Sequence, residues 1–448
     1  MVRVLTIISF LVIGAAGWLY WFWKNDLLAP LDPQEWWGSM ELKGGDTSVR
    51  PFKVKFSEEM IVDLKCRLLN TRAPPPPLEG VAFQYGFNSL HLNSWKEYWA
   101  QKYNFTEREQ FFNQFQQFKT NVQGMDLHFI WVRPKMRPGV KVLPLLLLHG
   151  WPGSVREFYE LIPLLTRKPI HGFVFEVIVP SLPGFGFSDS PVRQGMGGPQ
   201  TAILLKNLME RLGHKQFYMQ GGDWGGIVAA DLATLYPEAV LGFHTNLPTV
   251  QHPCAIALAG LSFIFPSWMV DPEVVDRTNK LRLYWRAGGY LTLQATKPDT
   301  ISIALTESPL GLLVYILEKF SSGTNPGLEE RPDEGLLEKF SRDQLLDNAM
   351  TYWLGGTTAA RIYADGFQDR MKRWRLSIKS TPVPTWVLQA KYEILYQTPA
   401  AIRFKFPNLL NVTVLHRGGH FIAFEEPEAL AEDVFTAVKA FTEFHERK

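Results

Sequence analysis

The stretch from Met219 to Gly226 constrains the fold of this chain more than any other. It runs Met-Gln-Gly-Gly-Asp-Trp-Gly-Gly, follows an apolar run at 217–219, and precedes apolar residues at helical spacing: Ile227, Val228, Leu232 and Leu235. This pattern predicts a sharp strand-to-helix turn with Asp223 at its tip, because glycines on both sides leave room where other side chains would collide. Such a turn presents a nucleophile at the end of a strand.

The residue at the tip is an aspartate, where an esterase or a lipase would have a serine. A free carboxylate has a pKa of about 3.9, so an aspartate is a nucleophile at neutral pH without a base to deprotonate it. Attack at a saturated carbon suits this carboxylate, because its attack on an ester substrate would only convert the ester to an anhydride. The leaving group is then a halide or an epoxide oxygen, and the covalent ester needs a histidine for its hydrolysis.

In such hydrolases an acid and then a histidine follow the nucleophile along the chain. His420 lies in a glycine turn, Arg-Gly-Gly-His-Phe, after the strand predicted at 411–416, and is the predicted general base. Glu393 follows the strand predicted at 385–388 and is the predicted acid that orients the imidazole of His420. Glu425 and Glu426 are weaker candidates, since they begin the next helix and are expected to point away from His420.

Backbone amides must stabilise the oxyanion that forms when water attacks the ester of Asp223. One is the amide of Trp224, which follows the nucleophile. The second is predicted to be the amide of Trp151, in the loop His-Gly-Trp-Pro-Gly-Ser that follows the strand predicted at 142–148.

Short apolar strands alternate with helical segments over most of the chain, which predicts an α/β fold with a mostly parallel sheet and helices on both faces. Helical segments dominate between the two halves of this pattern, and we interpret them as a lid. The predicted organisation is a membrane anchor at 4–23, a linker at 24–50, an N-terminal helical region at 51–120, a core at 121–248, a helical lid at 249–379 and a second core segment at 380–448.

The run 4–23 contains no charged residue and is followed by Lys24. Twenty helical residues span about 30 Å, the thickness of the hydrocarbon layer. Four aromatic residues near its end fit the headgroup boundary: Trp18, Tyr20, Trp21 and Trp23. We therefore predict a single membrane anchor that contacts the lipid bilayer. The alternative is a cleaved signal peptide with a weak small-residue site at 14–16.

Composition excludes some functions. The formal net charge is +2, from 46 basic and 44 acidic residues, so nucleic acid is not an expected partner. Cys66 and Cys254 are too few for a disulfide framework or a cysteine-based metal site.

Four motifs together with the anchor resemble the microsomal epoxide hydrolases, which include the insect juvenile hormone epoxide hydrolases. The motifs are those around Trp151, Asp223 and His420, and the segment Arg50–Val54. The resemblance covers nearly the whole chain. It implies an α/β-hydrolase fold, a small apolar epoxide and water as substrates, and no metal or organic cofactor.

The resemblance also implies two lid tyrosines that hold the epoxide oxygen and donate a proton to it. Tyr290, in Gly-Gly-Tyr-Leu, matches the first, and Tyr363, in Arg-Ile-Tyr-Ala, matches the second more loosely. Tyr284, Tyr315 and Tyr352 are the alternatives, and each would otherwise be a packed aromatic with a hydrogen-bonded hydroxyl.

The resemblance further implies the endoplasmic reticulum membrane, with the catalytic domain in the cytosol. The sequons at Asn104 and Asn411 are therefore expected to stay unglycosylated. Two other functions stay open, a haloalkane dehalogenase and a catalytically silent membrane-anchored binding protein. The sequence leaves undecided whether the natural epoxide is a foreign compound, a lipid or a terpenoid hormone, and which oligomeric state the protein adopts.

Overall fold

The computed structural model describes residues 31–40, 44–270, 272–277 and 286–447, together with the backbone of Gly14 and Gly17. The anchor predicted at 4–23 otherwise lies outside the described residues, as do Tyr284 and residues 24–30 and 41–43 of the linker. Within the described part of the chain, no helix has the length and apolar character needed to cross a membrane.

A nine-stranded sheet forms the centre of the molecule, in the order β1-β2-β3-β5-β4-β6-β7-β8-β9. The six strands from β5 to β9 in that order pair in parallel, and β1, β2 and β3 continue the sheet antiparallel at one side. The predicted α/β fold with a mostly parallel sheet is confirmed. The strands are β1 Arg50–Phe52, β2 Gln117–Val122, β3 Met125–Val132, β4 Lys141–Leu148, β5 Phe173–Pro180, β6 Phe217–Gly221, β7 Val240–Thr245, β8 Thr385–Gln389 and β9 Leu409–Val414.

The central strands are covered on both faces, because every residue of β6 and β8 is buried. Phe435, on the last helix, packs its ring on Phe173 and Phe175 of β5, with centroids 5.4 and 4.8 Å away. The helices that belong to this layer are α4 Leu161–Thr166, α5 Gly198–Arg211, α6 Asp223–Leu235, α15 Pro399–Ile402, α16 Ile422–Glu425 and α17 Pro427–Glu446.

The N-terminal region contains α1 Glu58–Leu69, α2 Leu92–Glu97, a π-helical turn Tyr98–Lys102 and α3 Phe105–Phe112. Ser57 caps α1. The helical region predicted at 51–120 extends too far, because Asn113 closes α3 by donating to the carbonyls of Glu109 and Val54. Phe118 instead lies in β2, paired with Phe129. The sheet therefore includes β1 and β2, which the sequence pattern assigned to the helical region.

Between β7 and β8 the described chain is helical. Its α-helices are α7 Pro253–Ile264, α8 Pro266–Met269, α9 Gly289–Thr296, α10 Pro298–Glu307, α11 Pro309–Thr324, α12 Arg342–Gly355, α13 Arg361–Lys372 and α14 Trp374–Ile378. We call residues 249–379 the lid, which is the extent predicted from the sequence.

A buried ion cluster centred on Asp347 of α12 joins the lid to both other layers. Arg108 of α3 donates from Nε to Asp347 Oδ1 at 2.9 Å, and Arg156 of the core donates from Nε to Oδ2 at 3.0 Å. The hydroxyl of Tyr103 also donates to Oδ1, at 2.9 Å. Because the Asp347 side chain is fully buried, its charge depends on these partners.

Candidate active site

Asp223 lies at the junction of β6 and α6, as the glycine pattern predicts. Its φ of 47° is in the left-handed region, which is rare for a residue with a side chain and occurs where surrounding structure holds the backbone in place. Gly225 makes the turn possible, since a Cβ there would collide with the carbonyl oxygen of Leu148 at the end of β4. The carboxylate consequently stands above the ends of two neighbouring parallel strands.

The loop after β4 supplies a donor to this carboxylate. The amide of Trp151 donates to Asp223 Oδ1 at 2.8 Å. Gly150 is required here, because a Cβ would overlap with the same oxygen. The amide of Trp224 lies in the first turn of α6, where amides have no partner within the helix. These are the two amides predicted for the oxyanion hole.

His420 reaches the other oxygen of the nucleophile. Its Nε2 lies 3.2 Å from Asp223 Oδ2, and its Nδ1 lies 2.7 Å from Oε1 of Glu393. Glu393 follows β8, and its Oε1 also accepts from the amide of Ile394 at 2.8 Å. The structure thus brings together the three residues predicted for the catalytic group, with Glu393 placed to fix the tautomer of the imidazole.

The two carboxylates determine the charge of the imidazole. Burial disfavours the His420 cation, but the charges of Glu393 and Asp223 and their hydrogen bonds outweigh burial and raise the pKa of His420 well above its ordinary value. His420 is therefore an imidazolium while Asp223 is ionised.

Neither alternative acid contacts the imidazole in the described structure. Glu426 pairs with Arg417 at 2.8 Å. Glu425 accepts from the amides of Gly419 and Phe421 at 2.9 and 3.0 Å, and burial raises its pKa to about 8. Glu425 therefore shapes the loop that carries His420.

The lid contributes Tyr290 from α9 and Tyr363 from α13. Their ring centroids are 5.9 Å apart, and both rings pack on Trp151, at 5.0 and 5.7 Å. The ring of Tyr363 also packs edge-on against Trp224, with centroids 5.0 Å apart. Burial, and then the neighbouring Tyr290 and Asp223, raise the pKa of Tyr363 well above its ordinary value, so its hydroxyl keeps its proton.

The alternative tyrosines within the described lid have other partners. Tyr352 donates its hydroxyl to the carbonyl of Gly153 at 2.6 Å. The hydroxyl of Tyr315 accepts from Gln294 at 3.2 Å, although its ring also contacts Trp151.

A cavity of about 230 Å³ separates the lid from the sheet, and we call it the main cavity. Asp223, His420, Tyr290 and Tyr363 line it together. Most of its other walls are apolar, including Ile227, Leu247, Leu291, Phe367 and Leu395. A small apolar molecule that enters this cavity therefore meets both the carboxylate of Asp223 and the two tyrosines.

Three polar residues near the site were not predicted. Gln220 is the penultimate residue of β6, and Asn246 follows β7 and donates to Glu393 Oε2 at 3.5 Å. Glu157 lies in the short helical turn Val155–Phe158. This turn follows the loop 149–154, which carries an amide predicted for the oxyanion hole and which we call the oxyanion loop. The spacing of Ser154 and Glu157 is that of a capping box, so their sequence indicated only a helix start.

The described residues contain no group of three or more His, Cys, Asp or Glu side chains arranged to hold a metal ion.

Comparisons with known proteins agree with this geometry. The family model for the epoxide hydrolase N terminus matches residues 49–158, and that for the alpha/beta hydrolase fold matches residues 144–427. The chain is 49% identical to juvenile hormone epoxide hydrolase of Bombyx mori over 419 residues, which are 92% of this chain and 91% of that protein. It is 40% identical to epoxide hydrolase 1 of Oryctolagus cuniculus over 432 residues, which are 93% and 95% of the two chains.

Solved structures show the same similarity. The crystal structure of juvenile hormone epoxide hydrolase from the silkworm Bombyx mori superposes with a TM-score of 0.90, covering 93% of this chain and all of that chain at 49% identity. The structure of Aspergillus niger epoxide hydrolase gives a TM-score of 0.74 at 25% identity, with 88% and 97% of the two chains covered.

Proposed function

This chain belongs to the epoxide hydrolase family with the α/β-hydrolase fold, and from that premise we propose how it converts apolar epoxides to vicinal diols. Asp223 attacks a ring carbon and forms a covalent ester, which His420 then hydrolyses through water. One observation carries the proposal. Oδ1 of Asp223 is held by the amide of Trp151, while Oδ2 lies beside Nε2 of His420 at the main cavity.

In the first step Oδ2 of Asp223 attacks the less hindered epoxide carbon, and the carbon–oxygen bond of the ring breaks. Tyr290 and Tyr363 hold the epoxide oxygen and donate the proton that the new alkoxide needs. The proton lost by the tyrosine pair is restored from the imidazolium of His420, because formation of the ester removes the negative charge of Asp223 that held that proton.

In the second step neutral His420, oriented by Glu393, takes a proton from water as the water oxygen attacks Cγ of Asp223. The amides of Trp151 and Trp224 stabilise the oxyanion on Oδ1. When the tetrahedral intermediate collapses, His420 protonates the departing alcohol oxygen. The remaining acid proton of Asp223 passes to Nε2, which restores the carboxylate and imidazolium pair and releases the diol.

A haloalkane dehalogenase would use the same nucleophile but would need indole N–H groups for the halide. Tyr290 and Tyr363 line the main cavity together with Asp223, and tyrosine hydroxyls suit protonation of an epoxide oxygen. A silent binding protein has no need of an imidazole held between two carboxylates.

For the natural substrate we take the apolar character of the main cavity as the guide. Several relatives are named juvenile hormone epoxide hydrolases, so juvenile hormone is the first natural epoxide to compare with foreign epoxides such as styrene oxide. A higher kcat/KM for juvenile hormone would assign a hormone substrate, and the reverse would assign a foreign compound.

We propose that the uncharged run at 4–23 anchors the protein in a membrane. The resemblance to the microsomal epoxide hydrolases favours the endoplasmic reticulum, with the catalytic residues on the cytosolic side. Fractionation of cells that express the full chain and a chain lacking residues 1–23 tests this. We expect the truncated chain to leave the membrane pellet and the full chain to stay in it after carbonate extraction. Equal extraction of the two chains by carbonate would contradict the anchor.

The central test is the intact mass of His420→Gln after exposure to styrene oxide. We expect an adduct that maps to Asp223 and persists, because the first step proceeds and the second does not. A folded variant that forms no adduct would exclude the covalent ester.

A further inference from the structure

A second, much smaller cavity lies beside the nucleophile. Its volume is about 20 Å³, which is room for one water molecule. Asp223, His420, Trp151 and Phe421 line both this cavity and the main cavity, so the two meet at the reacting groups. Glu157 and Gln220 also line the small cavity, and neither lines the main one.

Gln220 presents an acceptor that needs a partner. Its amide nitrogen donates to Asn246 Oδ1 at 3.1 Å, which orients the side chain. Its Oε1 is buried and has no hydrogen-bond partner among the residues that the structure describes. A buried carbonyl oxygen without a donor is costly, and a water molecule in the small cavity would supply one.

Glu157 forms another wall of the small cavity. Its side chain is buried, and its carboxyl lies near the backbone amide of Ser154. A Cβ at Gly153 would overlap with Oε1 of Glu157, so the glycine leaves the space that this carboxyl occupies. The charged or titratable groups that face Glu157 are Asp223, His420 and Tyr352.

Glu157 is neutral at pH 7. Burial, and then the charge of Asp223, raise the pKa of Glu157 to about 8, against the opposing effects of His420 and the Ser154 amide. A protonated carboxyl has one oxygen that accepts and one hydroxyl that donates. Because Glu157 lines the small cavity, its hydroxyl is available as a donor there.

We propose that the small cavity holds the water that hydrolyses the ester, and that Glu157 is a catalytic residue of this second step, donating its hydroxyl proton in a hydrogen bond to that water. The water would donate one hydrogen to His420 Nε2 and the other to Gln220 Oε1. One lone pair then accepts from Glu157, and the last points at Cγ of Asp223. Glu157 keeps its proton throughout, so the atoms and charges balance as in the two-step reaction.

This inference rests on the proposed covalent mechanism, and its test separates the two steps. Enzyme and styrene oxide are mixed for a single turnover and quenched, and the alkylated fraction of Asp223 is followed by mass. For Glu157→Leu we expect alkylation at the wild-type rate and hydrolysis slowed by about 10²-fold, because the water loses its orientation. Glu157→Gln, which keeps an acceptor for Ser154 and a donor for the water, should retain most of the hydrolysis rate.

The pH profile distinguishes this role from a helix cap. In the wild type, hydrolysis of the ester should slow as the pH rises through about 8, because an ionised Glu157 has no proton to donate. Glu157→Gln should lose this alkaline decline. Equal slowing of both steps in Glu157→Leu, or an alkaline decline that persists in Glu157→Gln, would overturn the proposal.

Gly153→Ala provides a second variant that keeps the native glutamate. The added methyl group displaces the flexible carboxyl of Glu157, so hydrolysis should slow as in Glu157→Leu. Gly260→Ala is the matched control, since a Cβ at 260 meets nothing within 4 Å. If His420→Gln accumulates the ester while Gly153→Ala and Glu157→Leu hydrolyse it normally, the covalent mechanism stands and the role of Glu157 falls.

Discussion

The floor of the site and its lid hold their reactive groups by different means. Asp223, His420 and Glu393 of the floor follow strands of one sheet, and backbone geometry fixes each of them. Tyr290 and Tyr363 of the lid lie on two helices, and their rings pack on Trp151 and on each other. The floor is therefore set by the chain path, and the lid by side-chain packing.

The chemistry divides along the same line. In the proposed mechanism the floor takes part in both steps, whereas the tyrosines of the lid act only when the epoxide ring opens. Variants of the floor and of the lid should therefore differ in which step they slow as well as in how much.

Asp223→Ala should have the largest effect. Removal of the nucleophile eliminates the first step, and turnover should fall by more than about 10⁴-fold. No adduct should form with styrene oxide, as judged by intact mass, while the far-UV circular dichroism spectrum stays that of the wild type. An adduct that still formed, at another residue, would contradict the assignment of Asp223 as the nucleophile.

The double variant Tyr290→Phe with Tyr363→Phe should come next. Loss of both proton donors should slow alkylation by about 10³-fold, and each single variant by about 10-fold, because the remaining hydroxyl still holds the epoxide oxygen. Hydrolysis of an ester once formed should keep its wild-type rate in single-turnover measurements. Equal slowing of the two steps would remove the distinction between lid and floor.

Glu393→Gln tests the floor through pH. We expect hydrolysis to slow by about 10²-fold, since the imidazolium formed in this step loses the charge that stabilises it. Glu393 raises the pKa of His420, and removing its charge lowers that pKa. Because the second step needs neutral His420, the acid limb of the hydrolysis rate should move to lower pH than in the wild type. A shift to higher pH would contradict the assigned role.

Asp347→Ala tests how far the lid depends on the core. It leaves Arg108 and Arg156 buried without their shared carboxylate, and the free energy of unfolding should fall by about 3–5 kcal/mol. Urea unfolding measures this change. The protein that remains folded should turn over within a few-fold of the wild-type rate.

The smallest effect is expected for Tyr315→Phe. Tyr315 contacts Trp151 but does not line the main cavity, and its hydroxyl serves only Gln294 among the described residues. Both steps should stay within about 2-fold of wild type, as expected for a packed aromatic. If Tyr315→Phe slowed alkylation as much as Tyr290→Phe does, Tyr315 would have to be counted among the proton donors of the lid.

The floor could be predicted from the sequence because glycines and strand ends leave local signals. Asp223, Trp151 and His420 each lie beside glycines that a close backbone approach requires, and chain order added Glu393. The lid tyrosines have no such signal, since a tyrosine on a helix is usually a packed aromatic. They were identified only from the resemblance to a family.

The errors have equally local causes. The helical region predicted at 51–120 includes Phe118, because the aromatic segment 105–118 has no turn residue stronger than Asn113. Pairing with β3 instead gives Phe118 a strand conformation. The sequence does not distinguish Glu157 from a capping residue, because its spacing from Ser154 matches a helix start. Burial and the nearby charge of Asp223 raise the pKa of Glu157, and sequence spacing reveals neither of these causes.

The contacts of α12 with the oxyanion loop limit how this enzyme can be redesigned. Asn348 donates to the carbonyl of Pro152 at 2.8 Å and accepts from Ser154 Oγ at the same distance, and Tyr352 donates to the carbonyl of Gly153. A lid transplanted from another hydrolase to change specificity would replace these supports of the oxyanion loop if it included residues 342–355. Grafts that stop before Arg342 exchange the α9 wall of the main cavity and leave the support of the loop intact.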